Sequence, residues 1–343
     1  MATQKTTSDR DRKRDHIELT ARAQLAAAAL DRRFYFEPLL AAHPEELSSK
    51  QSLPFLGKQM RAPLWVSSMT GGTKQAGRIN RNLAKACRKF GLGMGLGSCR
   101  VLLESDERFE DFNLRPILGE EVPFFANIGI AQLEELLEQK AVDKLPALCE
   151  RLQADGLIVH VNPLQEWMQP EGDRFRRPPL ESIEELLSNF PLPLIVKEVG
   201  QGFGPQSLRA LLSLPLAAIE FGAAGGTNFA LLELLRSEEE KETFEPLTRV
   251  GHSAEEMLNW VRDLLADTSL QPACNSLIIS GGIKNFLDGY YLLERSPLPA
   301  VYAQASAFLQ RALVSYETLE TYIEQQLQGY YLAKAMLKVR GDE

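Results

Sequence analysis

Short apolar runs recur along this chain, separated by longer amphipathic stretches, which is the pattern of repeated strand–helix units. Eight runs predict buried strands: Leu64–Ser67, Leu92–Gly95, Pro123–Ala126, Leu157–His160, Leu194–Lys197, Ala218–Phe221, Leu277–Ser280 and Ala300–Ala303. Helical spacing predicts helices over Gln75–Phe90, Ile130–Gln139, Lys144–Ala154, Leu180–Ser188, Gln206–Leu214, Ser253–Asp267 and Asn285–Glu294, with a long terminal segment from Ala307 to Lys338. Ser253 followed by Glu255 and Glu256 reads as a capped helix start. Leu19–Leu30 is Ala-rich and reads as helical, while the charged piece Arg236–Val250 reads as an exposed insertion or lid. Eight strand–helix units are what a closed (β/α)8 TIM barrel requires. An open doubly wound sheet competes, but no GxGxxG follows the first strand. The expected organisation is an N-terminal helical extension over 1–60, contributing to the site, then a barrel over 61–343.

Composition narrows the class. With 44% hydrophobic and 24% charged residues the chain reads as an ordinary globular protein, and no run is long enough to span a bilayer. The start is polar and carries no apolar signal region, so a cytoplasmic protein is expected. Cys87, Cys99, Cys149 and Cys274 are widely spaced, which suits reduced thiols rather than disulfides or a zinc site. A net charge of −8 argues against a nucleic-acid partner. The exception is the N-terminus, where Arg10, Arg12, Lys13 and Arg14 alternate with acids; this is either a solvated tail or an anion clamp.

The chemistry concentrates where the strands end. The fourth run leads into His160-Val161-Asn162-Pro163-Leu164-Gln165-Glu166, an imidazole, two carboxamides and a carboxylate within seven residues. The first ends in Ser67-Ser68-Met69-Thr70-Gly71-Gly72, the second in Gly97-Ser98-Cys99-Arg100 and the third in Asn127-Ile128-Gly129. Lys197-Glu198-Val199-Gly200 follows the fifth, Gly225-Gly226-Thr227 the sixth, Ser280-Gly281-Gly282 the seventh and Gln304-Ala305 the eighth. A lone Gly-Gly is more often a tight turn, but two pairs after the sixth and seventh strands stand where barrels commonly bind phosphate. Lys197 closes an apolar strand and so must meet an anion: Glu198, Glu220 or an electron-rich cofactor edge. His160 alone could be a satisfied core histidine; its company with Asn162, Gln165 and Glu166 shifts it toward a ligand.

Together these motifs resemble the type 2 isopentenyl diphosphate isomerases, flavin-dependent barrel enzymes of isoprenoid synthesis. The resemblance covers nearly the whole chain and is most specific at His160 to Glu166 with its extension Gln169-Pro170-Glu171-Gly172-Asp173-Arg174; Arg12-Lys13-x-x-His16-Ile17 belongs to it as well. It implies FMN across the barrel mouth, active when reduced, with NADPH as reductant. Ser68, Met69, Thr70, Ser98, Asn127 and Lys197 would meet the flavin ring, and Thr227, Gly281, Gly282, Ala303 and Gln304 its phosphate. Arg12, Lys13, His16, Arg100, His160 and Asn162 would grip the substrate diphosphate, Glu166 would carry Mg2+ to it, and Gln165 would sit near the reacting carbons. The catalytic positions it implies are Gln165 and Lys197, and the family assembles as homotetramers or homo-octamers. Cys99, Lys284, Phe286, Ala303 and Glu220 depart from the usual glutamine, arginine, glycine, glycine and aspartate. The alternative is another FMN barrel enzyme, such as a hydroxy-acid oxidase or dehydrogenase. That chemistry wants a His base oriented by a carboxylate, and none of His16, His43, His160 and His252 stands in an obvious His–Asp pair. A flavin-binding protein without catalysis is a further alternative; loss of Gln165 or Glu166 would mark it, and both are present.

Overall fold

The structure, a computed structural model, describes residues 9–44, 52–68, 72–236 and 241–341. Eight parallel strands close into one barrel: β1 (Leu64–Val66), β2 (Gly93–Gly95), β3 (Phe124–Gly129), β4 (Gly156–Val161), β5 (Leu194–Glu198), β6 (Ala218–Glu220), β7 (Leu277–Ser280) and β8 (Ala300–Gln304). Each pairs with its sequence neighbour, and β8 returns to β1 with Ala303 opposite Trp65. All eight predicted strands are present.

Because side chains alternate across a strand, the inward positions fall into tiers. The first is apolar: Trp65, Phe125, Ile158, Ile195, Ala218, Ile278 and Val301 are all fully buried in one cluster. Burial of the larger of these side chains stabilises by about 1.5–3 kcal/mol each. Two residues further along six of these strands the inward position is polar: Ser67, Asn127, His160, Lys197, Glu220 and Ser280. The outward positions between them, such as Ala126, Ile128, Val159, Val196 and Ile219, pack in the larger cluster under the helices. An antiparallel hairpin, Leu53–Phe55 with Lys58–Met60, adds Phe55 and Met60 to the apolar tier, with the Phe55 ring edge-on to Trp65 at 6.4 Å. The barrel is therefore sealed with hydrocarbon inside and polar only toward the carboxyl ends of its strands.

The helices follow the apolar spacing within a residue or two. The Ser253 capping box with Glu256 is formed, and Asn285 caps Phe286–Glu294 in the same way. Three expectations are corrected, and a helix appears within the stretch read as an exposed insertion. Leu19–Leu30 forms only short 3-10 turns, Thr20–Arg22 and Ala27–Ala29, and its leucines stay exposed, so no burial supports a longer helix; the helix there is Asp9–Leu19. The long terminal segment is two helices, Ser306–Val314 and Tyr316–Met336, divided where Ser315 turns extended and caps the second. Its end, Leu337–Val339, pairs as a strand with Phe34–Phe36. The charged stretch after β6 is a helix in part, Lys241–Thr248.

One buried ion pair secures the amino-terminal side of the barrel. Arg115, 2% exposed, donates to the carbonyls of Gln153, Gly119 and Val122 and to Asp155 at 2.8 Å. Asp155 also accepts from the Phe124 amide at 2.9 Å at the start of β3. Asp155 also pairs with Lys58 at 3.1 Å, so losing Arg115 strands chiefly the three carbonyls that it satisfies. Arg115→Ala is expected to lower the unfolding free energy by about 3 kcal/mol, read by urea denaturation; a loss below about 1 kcal/mol would contradict this role.

Candidate active site

At the carboxyl ends of the strands a cavity of about 330 Å³ runs along the β5–β8 side of the mouth. It is lined by the glycine loops Gly225-Gly226-Thr227 and Gly281-Gly282, by Ser68, Lys197, Ala303 and Gln304, and by Lys284, Arg311 and Tyr322. It adjoins a second hollow of about 180 Å³ lined by Ser98, Asn127, His160 and Gln165. Ser68, Lys197, Val199 and Phe229 border both, so the two form one trough. No carboxylate lines either part among the described residues. Gly281 takes φ +92°, and a Cβ there would lie 2.0 Å from the Ala223 carbonyl, so only glycine lets this loop close against its neighbour.

Lys197 stands at the middle of the trough, 6% exposed. Its ammonium donates to the Glu198 carbonyl at 2.7 Å. It lies opposite the fully buried Glu220 in the β5–β6 register. Burial pushes the Glu220 carboxyl up, against the opposing pull of Lys197 and of hydroxyls from Ser67 and Ser280. Ser67 bonds one Glu220 oxygen; the other, Oε2, has no partner. Burial also raises Glu198, whose carboxylate nonetheless gathers the Gly200, Gln201 and Gly202 amides at 2.6–2.8 Å. Both carboxyls feel the Lys197 charge, while its ammonium hydrogen-bonds a main-chain carbonyl.

His160 is held by Asn127, with Nδ1 2.8 Å from Oδ1. The Asn127 amide nitrogen donates to the Leu96 carbonyl at 2.9 Å, which fixes the carboxamide so that its oxygen faces the ring. His160 Nδ1 therefore carries a proton. Burial, then the Lys197 ammonium, lowers the ring to about 3, so at neutral pH it is uncharged and Nε2 is a bare acceptor.

The rest of the strand-four motif opens a short helix, Pro163–Met168. Asn162, 2% exposed, donates to Gln165 at 3.2 Å and to Glu166 at 2.9 Å, and its own Oδ1 has no partner. The Pro-Glu-Gly-Asp-Arg extension folds back on the helix. Glu166 accepts from the Asp173 amide at 2.9 Å, and Arg174 donates to the Glu166 carbonyl at 2.6 Å. A Cβ on Gly172 would lie 2.0 Å from that carbonyl, so the return passes only at glycine. Arg100 reaches Asp173 at 3.3 Å and is half exposed.

Of the sequence-predicted residues, the trough gathers Ser68, Ser98, Asn127, Lys197, Thr227, Gly281, Gly282, Ala303, Gln304, His160 and Gln165. Arg12, Lys13 and His16 lie on the exposed Asp9–Leu19 helix and line neither hollow. Met69 and Thr70 lie outside the described residues. Glu233 was missed: it is 4% exposed and accepts from Gln165 Nε2 at 3.3 Å. Its signal was available, since Phe229–Arg236 buries Ala230, Glu233 and Leu234 on one helical face, which places an acid among leucines. Lys284, Arg311 and Tyr322 were not assigned to the site either.

No family model matches the chain. Curated relatives named isopentenyl-diphosphate delta-isomerase do: that of Pseudescherichia vulneris is 38% identical over 89% of this chain and 86% of the relative. Those of Deinococcus radiodurans and Stutzerimonas stutzeri are 36% and 34% identical over 81% and 91% of this chain and 78% and 88% of theirs. Among solved structures, the flavin-binding domain of baker's yeast flavocytochrome b2 superposes with a TM-score of 0.59 at 14% identity, covering 88% of this chain and 71% of that one. A mandelate oxidase variant with an FMN adduct gives 0.56 at 12%, covering 90% and 88%. At that identity the structural likeness speaks for the barrel; the sequence likeness, over most of both chains, speaks for the family. The chain belongs to the isopentenyl-diphosphate delta-isomerases, isomerases by name, on the closed barrel expected of their type 2 branch.

Proposed function

We propose that this protein interconverts isopentenyl diphosphate and dimethylallyl diphosphate in isoprenoid biosynthesis, with reduced FMN in the trough and Mg2+ on the substrate diphosphate. The observation that carries the reading is the trough itself: a glycine-lined end, a buried lysine at its centre and the His160–Gln165 end form one space without acid lining. Its residues fit the cofactor. The glycine loops open backbone amides toward a phosphate, and the buried Ser68 Oγ is without a partner at the ring position. When bound and reduced, FMN supplies the acid–base group for a double-bond shift whose proton transfers no ordinary side chain matches in pKa.

The protein's own residues then take separate tasks. Ser68, Ser98 and Asn127 hold the ring, with Met69 and Thr70 proposed beside them, and Thr227, Gly281, Gly282, Ala303 and Gln304 surround the phosphate. Lys197 places positive charge beside the ring and does not touch substrate. Gln165, held between Asn162 and Glu233, faces the alkene. Glu166 is a single carboxylate, which suits Mg2+, an ion commonly bound by one or two carboxylates plus substrate phosphate oxygens. Arg100, His160 and Asn162 bind the diphosphate, joined by Arg12, Lys13 and His16 from the 1–60 extension once it closes. His160 must gain a proton at Nε2 to donate to that anion, and the anion's own charge favours it. We further place the protein in the cytoplasm as a homotetramer or homo-octamer reduced by NADPH. A hydroxy-acid oxidase reading is disfavoured because the partner of His160 is the Asn127 carboxamide, not a carboxylate.

Purified protein loaded with FMN is expected to be yellow, to bleach with NADPH or dithionite, and to isomerise isopentenyl diphosphate only when reduced and supplied with Mg2+. Product followed by proton NMR decides it: turnover by the oxidised protein without reductant would overturn the reduced-flavin reading, and a rate untouched by chelator would overturn the metal's role. His160 gives a second test, on the cofactor-free protein. Its folded value lies below the ordinary 6.5, so between those values the unfolded chain binds the extra proton and stability falls as pH falls. His160→Gln is expected to remove about 2 kcal/mol of the stability lost between roughly pH 7 and pH 4.5 in urea titrations. Identical pH slopes for the two proteins would contradict a buried neutral ring.

A further inference from the structure

The glycine-lined end of the trough holds two cations, Lys284 and Arg311, that the sequence motifs left without a task. Arg311 lies on Ser306–Val314, the helix that begins directly after β8, and Ser306 and Ala307 from its first turn also line the cavity. Its guanidinium carbon sits 3.7 Å from the centroid of the Tyr322 ring, and Nη1 donates to the Ala307 carbonyl at 2.9 Å. Tyr322 comes from the following helix, Tyr316–Met336, and is fixed in turn: its ring packs edge-on to Phe308 at 6.0 Å, and its hydroxyl donates to Gln304 Oε1 at 3.0 Å. Gln304 passes the contact on, its Nε2 donating to the Ile283 carbonyl at 3.3 Å in the loop after β7. Arg311, Tyr322, Gln304 and the Gly281-Gly282 loop are therefore one connected unit. A guanidinium flat on an aromatic ring keeps its edge donors directed outward, and here it is stacked on a ring that itself borders the cavity.

Resting on the FMN reading above, we propose that Arg311 is the main side-chain counter-ion of the cofactor phosphate, and that Tyr322 is the positioning residue that aims it. The glycine loops supply neutral N–H donors from backbone, while a phosphate dianion in a trough without acids gains most from a fixed, planar cation with several donors. Gln304 then serves the unit by tying Tyr322 to the glycine loop, since its carbonyl oxygen and one amide proton are already engaged.

The test compares FMN with riboflavin, which has the same ring and no phosphate, titrated into cofactor-free full-length protein and followed by quenching of flavin fluorescence. Arg311→Leu is expected to raise the Kd for FMN roughly ten- to a hundredfold, the usual loss of a charge-assisted hydrogen bond, and to change the Kd for riboflavin less than about twofold. Arg311→Lys is expected to recover FMN affinity to within about fivefold of the unaltered protein, because it restores the charge without the fork. Tyr322→Leu, which removes the platform, is expected to weaken FMN and spare riboflavin in the same way. An Arg311→Leu protein that binds FMN normally would overturn the proposal. So would equal weakening of both flavins, or failure of Arg311→Lys to recover any affinity, since either result marks a structural role. Unaltered protein that binds neither flavin would defeat the FMN reading itself, and the proposal with it.

Discussion

Everything at the mouth of this barrel is arranged around a charge that is costly to bury. The Lys197 ammonium is 6% exposed at the end of an apolar strand. An ion so placed must be compensated on every side or lose its proton. Glu198 lends its carbonyl, Glu220 its carboxyl across the β5–β6 register, and the glycine-rich loop after β5 turns its amides onto Glu198. The same charge acts outward, helping to hold His160 neutral. Under the proposed function it also faces the cofactor ring, so one cation would add to burial in keeping His160 neutral and would tune the electron density of the flavin.

The barrel makes this arrangement possible because strand periodicity sorts chemistry into layers. Two residues separate Ile195 from Lys197, Ile158 from His160 and Phe125 from Asn127, and that step carries each strand from the apolar tier to the polar one. This is why the strands and the location of the site were legible in the sequence: eight short apolar runs, nearly all ending in polar or glycine-rich residues, describe a sealed barrel with one wet end. The same fold is found in the mandelate oxidase and flavocytochrome b2 neighbours. What marks this chain's mouth is local: the Asn127 carboxamide beside His160, and a Gln-Glu pair held by the folded-back Pro-Glu-Gly-Asp-Arg loop.

What the sequence withheld was partnership across elements. Glu233 lies 68 residues from Gln165, and only the docking of the Phe229–Arg236 helix on Pro163–Met168 brings them together. Arg311 and Tyr322 belong to helices outside every recognisable motif, yet they border the glycine-lined end. The N-terminal reading erred for a simpler reason: alanine favours helix, but a short helix in water needs packing, and Leu19, Leu25 and Leu30 are all left exposed. Arg12, Lys13 and His16 share the Asp9–Leu19 helix and line neither hollow.

The most direct measurement is the two-electron midpoint potential of bound FMN in the unaltered protein and in Lys197→Met, taken alongside isomerisation by the reduced forms. If Lys197 stabilises the reduced ring, the variant's potential falls by about 30 mV or more, a tenfold loss in the reduced-to-oxidised equilibrium, and turnover falls with it. An unchanged potential with normal turnover would contradict the claim that the buried ammonium is what the site is built around.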